Sequence, residues 1–141
     1  MVVETDNTFE RQMVRGEEAW VGRCIHCQRK LVTGLDGSAA PGVTLEHLVP
    51  RHHGGADEAR NLALACGGCN AEKGLRYDWR RRDDPRRLEL EQTLCARRLA
   101  RWRDPPPSPY GPSPARGAGP HDPTAGAGQD HEPVRPKGRG R

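Results

Sequence analysis

Two neighbouring side chains with hydrolytic chemistry stand in the string "LEHLVPRHHGG", residues 45–55. Glu46 offers carboxylate oxygens, the ligands that hard cations such as Mg²⁺ and Mn²⁺ prefer. His47 offers an imidazole, which accepts a proton from water when it is neutral near pH 7. A carboxylate and an imidazole together are groups that metal-assisted hydrolysis uses. Adjacent side chains of a strand point to opposite faces, so we expect the chain to bend or bulge here.

Four of the five cysteines form two C-x2-C pairs. "CIHC" contains Cys24 and Cys27, and "CGGC" contains Cys66 and Cys69. Two such knuckles predict one tetrahedral Zn²⁺ site; separate redox-active or buried thiols are the alternative. The 38 residues from 28 to 65 separate the pairs, whereas ordinary zinc ribbons have roughly 15 to 20. We therefore expect the zinc to clamp the base of a longer element that includes the string at 45–55.

The residues around these motifs predict the elements that carry them. "GVTLEHLVP" has the character of a strand that ends at Pro50, and "NLALAC" predicts a second short strand. "RHHGGADEAR" between them predicts a loop that turns at its two glycines. "NAEKGLRYDWRRR" predicts a helix with Asn70 near its N-cap. The expected order is strand, loop, strand, helix.

Composition limits the size of the fold. The chain has 141 residues, of which 33% are apolar and 4% aromatic, so it predicts one small domain with a modest core that benefits from a metal. Residues 1–18 are polar and predict a lead-in arm or short helix, and residues 19–103 predict the folded domain. Residues 104–141 hold ten of the thirteen prolines and predict a disordered tail.

The opening residues lack the apolar segment of a signal peptide, and the sequence has no run of about 18 apolar residues to span a membrane. We therefore expect a cytoplasmic protein with no membrane partner. Thiols stay reduced in that compartment, which favours metal binding over disulfides. Within the first knuckle His26 is expected to be exposed, and a competing role as a zinc ligand is the alternative. Cys95, in an amphipathic stretch, is expected to act as a small buried hydrophobe.

Taken together, the first knuckle, "LEHLVPRHHGG", Asn61 in "NLAL" and "CGGCNAEKG" resemble the HNH endonuclease family over about residues 21–76. The resemblance implies an α+β architecture, the ββα-metal fold, in which one divalent ion lies between a two-stranded hairpin and a helix. It further implies an HNN-type member with zinc knuckles that hydrolyses DNA. His47 stands at the first histidine, Asn61 at the central asparagine, and Asn70 where the last histidine often stands.

The resemblance also implies a role for each site residue. His47 would act as the general base, while Glu46 and Asn70 would hold Mg²⁺ or Mn²⁺. The amide of Asn61 would bridge backbone groups across the loop and so fix His47. The family usually has aspartate before its first histidine, and the longer Glu46 predicts weaker activity or a preference for Mn²⁺. The neutral oxygen of Asn70 shifts the preference towards Mg²⁺.

The segment after the second knuckle is basic. Residues 72–103 contain eleven Lys and Arg against six Asp and Glu, a balance of +5, and the helical pattern breaks near Pro85 before it resumes. Such a segment predicts contacts with the phosphates of double-stranded DNA that depend on salt and little on sequence. Arg51, Lys73 and Arg76 are the candidate contacts, and a merely solvated charged surface is the alternative.

Three functional hypotheses follow. The leading one is a zinc-stabilised HNH endonuclease with double-stranded DNA as its partner and no oligomeric state assigned. The second is a zinc-knuckle module that binds nucleic acid without cutting it, and Glu46 in place of aspartate is its best support. The third, a zinc ribbon for protein interaction, leaves Glu46, His47 and Asn61 unexplained.

Overall fold

Two antiparallel sheets and two helices make up the part of the chain that the computed structural model describes, residues 1–111. This confirms the predicted α+β class. The predicted disordered tail begins at residue 104, and its residues 112–141 lie outside the described ones. The strands are β1 (Glu10–Val14), β2 (Glu17–Arg23), β3 (Lys30–Gly34), β4 (Val43–His47) and β5 (Leu62–Cys66), and the helices are α1 (Gly67–Lys73) and α2 (Pro85–Ala100).

The first sheet has the order β1-β2-β3. Arg15 and Gly16 turn the chain between β1 and β2 with φ angles of 52° and 84°, the positive values that a two-residue hairpin requires. Gly22 in β2 lies against the ring of Phe9, because an added Cβ would stand 2.4 Å from that ring. The first cysteine knuckle connects β2 to β3, so this sheet supports one half of the cysteine cluster.

The N-terminal residues belong to the folded unit, which differs from the lead-in predicted for residues 1–18. Val3 and Phe9 are buried in the hydrophobic core, and β1 pairs along its length with β2. The guanidinium group of Arg103 donates hydrogen bonds to the carbonyls of Val3 and Phe9, among others. A few isolated apolar residues in a polar segment carry no periodic signal, so their burial depends on partners that are distant in sequence.

The second sheet is the hairpin β4-β5, in which Glu46 pairs with Ala63 and His47 with Leu62. The loop between these strands contains two short 3₁₀ helices, and α1 follows β5 directly. The predicted order of strand, loop, strand and helix is therefore confirmed. The expectation for Asn70 is wrong, because Cys66 is the N-cap and Asn70 is the fourth residue of α1. After α1 the chain makes a π-helical turn at Gly74–Asp78.

Helix α2 begins where the sequence predicts a break. The carboxylate of Asp84 caps it by accepting hydrogen bonds from two backbone N–H groups of the first turn, and Pro85 occupies the first helical position. Leu94 is buried in the core, whereas Leu99 is exposed, so the apolar face is narrower than its leucines suggest. Neither helix of residues 1–111 has the length and apolar content to cross a membrane.

Buried arginines replace part of that apolar face. Arg98 donates to the carbonyl oxygens of Thr5 and Leu62, and thereby joins the N-terminus to β5. Arg101 donates to the carbonyls of Arg23 and Cys24 beside the first knuckle. Burial lowers the pKa of both guanidinium groups. Much of the positive charge of this helix therefore holds the fold together.

Candidate active site

The four knuckle cysteines form one cluster. Their sulfur atoms lie within 4.8 Å of one another, and the Sγ of Cys66 is 4.0 Å from that of Cys24 and 3.9 Å from that of Cys27. Tetrahedral zinc with bonds of about 2.3 Å places its sulfurs roughly 3.8 Å apart. Burial, followed by hydrogen bonds with neighbouring thiols, raises the pKa of Cys69. A cation is therefore needed to hold the thiolates, and the arrangement fits a single Zn²⁺.

Backbone groups support this cluster from both knuckles. The N–H groups of His26 and Cys66 each point at the Sγ of Cys24 at 3.4 Å. Gln28 closes the first knuckle with a φ angle of 65°, and its N–H donates to the carbonyl of Cys24. Such N–H···S contacts favour thiolate over thiol, so the knuckles suit a metal as well as the sulfurs do.

A cavity of about 290 Å³ lies between β4 and α1. Helix α1 also contains Cys69 of the cysteine cluster. Glu46, His47 and Asn70 all line it. The structure thus brings together the three residues that the sequence predicts for the catalytic ion and the base. Glu46 lies on the buried face of β4 and His47 is partly exposed, yet both reach the same cavity.

The carboxylate of Glu46 is buried, with 2% of its side chain exposed. Its Oε1 lies 2.5 Å from the Nε2 of His26, while its Oε2 has no hydrogen-bond partner among the described residues. An unpaired carboxylate oxygen in the interior is unfavourable unless a cation satisfies it. Glu46 therefore fits a divalent ion. The prediction that His26 is exposed is wrong, since the ring packs inwards; its place inside the knuckle gave no sign of this.

The ring of His47 is oriented by a residue that sequence reasoning did not single out. Its Nε2 lies 2.6 Å from the Oδ1 of Asp57, and the Nε of Arg51 donates to that same oxygen at 2.8 Å. These two contacts, His47 first, lower the pKa of Asp57. The Nε of Arg51 also lies 3.3 Å from the Nε2 of His47. A carboxylate only accepts hydrogen bonds and the contact with Asp57 is much the shorter of the two, so we assign the ring hydrogen to Nε2. The Nδ1 atom then holds the lone pair that accepts a proton.

Asn61 holds the loop that follows His47. Its Oδ1 accepts from the N–H of Val49 at 2.9 Å, and its Nδ2 donates to the carbonyls of Val49 and Ala56 at 3.0 and 2.9 Å. Gly55 makes this possible, because a Cβ there would lie 1.7 Å from the oxygen of Val49. The second glycine of "HHGG" is therefore required by close packing of the loop on itself.

Lys73 is part of the interior, although it also lines the cavity. Only 4% of its side chain is exposed, and its Nζ donates to the carboxylate of Asp78 at 2.9 Å and to the carbonyl oxygen of His47 at 3.0 Å. The predicted phosphate contact at Lys73 is corrected on this ground, since the ammonium group is already paired. Lys73 instead ties α1 to the backbone of the candidate base.

Comparison with protein families identifies this region. The model described as HNH endonuclease matches residues 24–76. We call residues 24–76, which match this model, the HNH domain. No curated protein matches the chain, and no solved structure does either. The matched segment includes both knuckles, β3, the β4-β5 hairpin and α1. HNH nucleases act on DNA with divalent metals, so the domain indicates a nuclease-type function in general.

The outer rim of the HNH domain is basic and carries an exposed aromatic ring. Arg51 and Arg76 are exposed, Arg76 beside Glu72 at 3.1 Å. Trp79 is 81% exposed and its ring stacks on His52, with ring centroids 5.2 Å apart. His52 and His53 both place Nε2 within hydrogen-bond distance of the Asp78 carbonyl, at 2.7 and 2.8 Å. These histidines therefore shape the rim.

The basic rim is smaller than the sequence suggests. Four of the eleven basic residues in the segment 72–103 are buried. They are Lys73, Arg87, Arg98 and Arg101. Their charges are used for internal hydrogen bonds, so the net charge of +5 overstates the positive surface beside the HNH domain.

Proposed function

We propose that the HNH domain is a metal-dependent endonuclease that hydrolyses phosphodiester bonds of double-stranded DNA. One observation carries this proposal. The Oε2 of Glu46 is buried and unpaired among the described residues, and Glu46 lines the same cavity as His47 and Asn70. A general acid-base residue and two oxygen ligands in one open cavity are the components that such hydrolysis needs.

Two metal sites with different roles support the activity. The four cysteines would hold Zn²⁺ as a structural ion, since all four ligands come from the protein. Glu46 and Asn70 would hold Mg²⁺ or Mn²⁺ through oxygen atoms, leaving positions for water and phosphate. When bound there, the divalent ion neutralises charge that develops on the phosphate and lowers the pKa of a bound water. We assign the protein to the cytoplasm, where the thiols stay reduced.

His47 is the proposed general base. Its Nδ1 takes a proton from the attacking water, and the ring then carries a positive charge. The carboxylate of Asp57, 2.6 Å from Nε2, stabilises that charge and keeps the ring in one orientation. Lys73 and Asn61 hold the backbone at His47 and just after it, through the carbonyl of His47 and both backbone groups of Val49. The base is thus positioned by three separate contacts.

DNA would lie along the rim of the cavity. The exposed guanidinium groups of Arg51 and Arg76 provide phosphate contacts that weaken as salt rises. Trp79, stacked on His52 and largely exposed, adds a flat apolar surface against sugars or bases. Arg51 lines the cavity and Trp79 stacks on His52, which also lines it, so these exposed groups are suited to binding and not to folding.

A module that binds nucleic acid without cutting it is the second candidate, and two contacts favour it. His26 already occupies one oxygen of Glu46, and Asp57 occupies one nitrogen of His47. Glu46 is also longer than the aspartate that the family usually has here. This candidate keeps the zinc site and the basic rim and differs from the nuclease only in its chemistry.

Supercoiled plasmid distinguishes the two. We expect the zinc-loaded protein to nick or cut plasmid with Mg²⁺ or Mn²⁺, and His47→Ala to lower the rate by about 10²- to 10⁴-fold. Zinc content, melting temperature and DNA affinity should stay near wild type. Cys95→Ala is the matched control, because Cys95 lies outside both the cavity and the cysteine cluster. Wild-type protein that binds DNA and cuts none with any divalent metal would establish the non-catalytic candidate.

A further inference from the structure

The contact between Glu46 and His26 joins the two proposed metal sites. His26 stands between two cysteines of the first knuckle, and its Nε2 lies 2.5 Å from the Oε1 of Glu46 on β4. The other oxygen, Oε2, is buried with no partner among the described residues. One carboxylate therefore has two oxygens with different surroundings, the first held by an imidazole and the second available to a cation.

The backbone of His26 is fixed on both sides. Its N–H points at the Sγ of Cys24 at 3.4 Å, and its carbonyl accepts from the Nη1 of Arg97 at 2.9 Å. The same Arg97 atom contacts the carbonyl of Ile25, whose N–H donates to the carbonyl of Leu64 in β5. The backbone of His26 is therefore rigid, and its imidazole extends to β4 with little freedom to move.

We propose that His26 is a positioning residue for Glu46, an inference that rests on the proposed metal-dependent function. The Nε2–H of His26 donates to Oε1, which leaves Oε2 alone to bind the divalent ion. The cysteine cluster sets the place of His26, so it also sets the direction of the carboxylate. Partners behind a metal ligand that fix its orientation commonly change metal affinity by about 10- to 100-fold when removed.

This assignment gives the longer side chain a reason. Glutamate reaches His26 across the space between β4 and the knuckle, and the shorter aspartate would withdraw from that hydrogen bond by one methylene. We therefore expect Glu46→Asp to bind Mn²⁺ more weakly than wild type, although aspartate is the usual residue of the family. Weaker binding of Mn²⁺ would indicate that glutamate stands at this position because it reaches His26.

Binding of Mn²⁺ to the zinc-loaded full-length protein, measured by the loss of the free Mn²⁺ signal in electron paramagnetic resonance, tests the inference without using cleavage. We expect His26→Ala to weaken binding about 10- to 100-fold with zinc content unchanged. His26→Gln, which keeps an N–H donor, should stay within a few-fold of wild type. Cys95→Ala, which changes a residue outside the cavity and the cysteine cluster, should match wild type.

Two results would overturn the inference. Unchanged Mn²⁺ affinity in His26→Ala would show that Glu46 needs no such partner. Equal losses in His26→Ala and His26→Gln would show that His26 either binds the ion itself or maintains the knuckle. The nuclease proposal fails separately, through wild-type protein that binds Mn²⁺ and DNA but leaves plasmid intact.

Discussion

The two candidate metal sites differ in how completely the protein satisfies them. At the cysteine cluster four sulfurs from two tight knuckles converge to within 4.8 Å, and backbone N–H groups support them. At the cavity the protein offers an unpaired oxygen of Glu46 and the side chain of Asn70, beside a space of about 290 Å³. The first site is closed by protein atoms, and the second leaves room for water and phosphate.

This difference separates stability from function. A closed site in a domain with a small core contributes its binding energy to folding. An open site keeps a buried carboxylate oxygen unpaired, which lowers stability in the absence of its cation. Removing a ligand from each site should therefore change the free energy of unfolding in opposite directions.

The largest expected effect is at the closed site. Cys66→Ala should abolish stoichiometric zinc and cooperative melting, because structural zinc contributes about 10 kcal/mol or more in small domains. Elemental analysis and circular dichroism measure the two quantities. Cys95→Ala is the matched control. Cys95 lies outside the cluster, so the variant protein should keep its zinc. Cooperative melting of Cys66→Ala at the wild-type temperature would show that the cluster does not hold the fold.

A smaller loss of stability is expected at Lys73, which holds the backbone of His47 beside the open site. Lys73→Met removes the ammonium group that pairs with Asp78 and binds the carbonyl of His47, and breaking such a buried pair is destabilising by about 3 kcal/mol. Urea unfolding measures this loss. Arg76→Met breaks an exposed pair with Glu72 and should change stability by less than about 1 kcal/mol while weakening DNA binding. Equal effects of the two substitutions would contradict the assignment of Lys73 to the interior.

The closed site could be predicted from sequence because its signal is local. Four cysteines in two C-x2-C knuckles predict a shared set of metal ligands independently of the rest of the sequence. The hairpin and α1 could be predicted for a similar reason, since apolar periodicity and turn residues act over a few positions. Asn70 shows the limit of this reasoning, because the prediction placed it near the N-cap and α1 begins three residues earlier.

The open site depends on contacts between distant residues, which local patterns do not carry. Nothing near His26 predicts its meeting with Glu46, twenty positions away. The burial of Lys73 depends on a carbonyl 26 residues earlier, so a lysine on a polar helix was expected to face DNA. The same holds for Arg98, which joins segments 93 residues apart and helps to bury an N-terminus expected to be a lead-in.

Removing the charged ligand of the open site should change stability in the opposite direction to Cys66→Ala. Glu46→Gln replaces the buried charge by a neutral amide of similar size, which still accepts from His26. Without a divalent ion the variant should be as stable as wild type or more stable, by up to about 1 kcal/mol, because an unpaired buried charge has been removed. Thermal melting of zinc-loaded protein measures this, and Mn²⁺ should stabilise wild type alone. A clear loss of stability in the metal-free variant would contradict the comparison.

The smallest effect concerns the exposed partner of the base. The hydrogen bond from His47, followed by that from Arg51, lowers the pKa of Asp57 below its ordinary value. The Asp57 contacts therefore stabilise the fold fully above pH 4 and are lost as the pH falls through the lowered pKa. Asp57→Asn should melt slightly below wild type near neutral pH, and the gap should close below pH 4. Carboxyl chemical shifts in NMR titration follow the same group directly. A gap that widens in acid would mean that Asp57 is not held as a carboxylate beside His47, and the proposed tautomer of the base would fail with it.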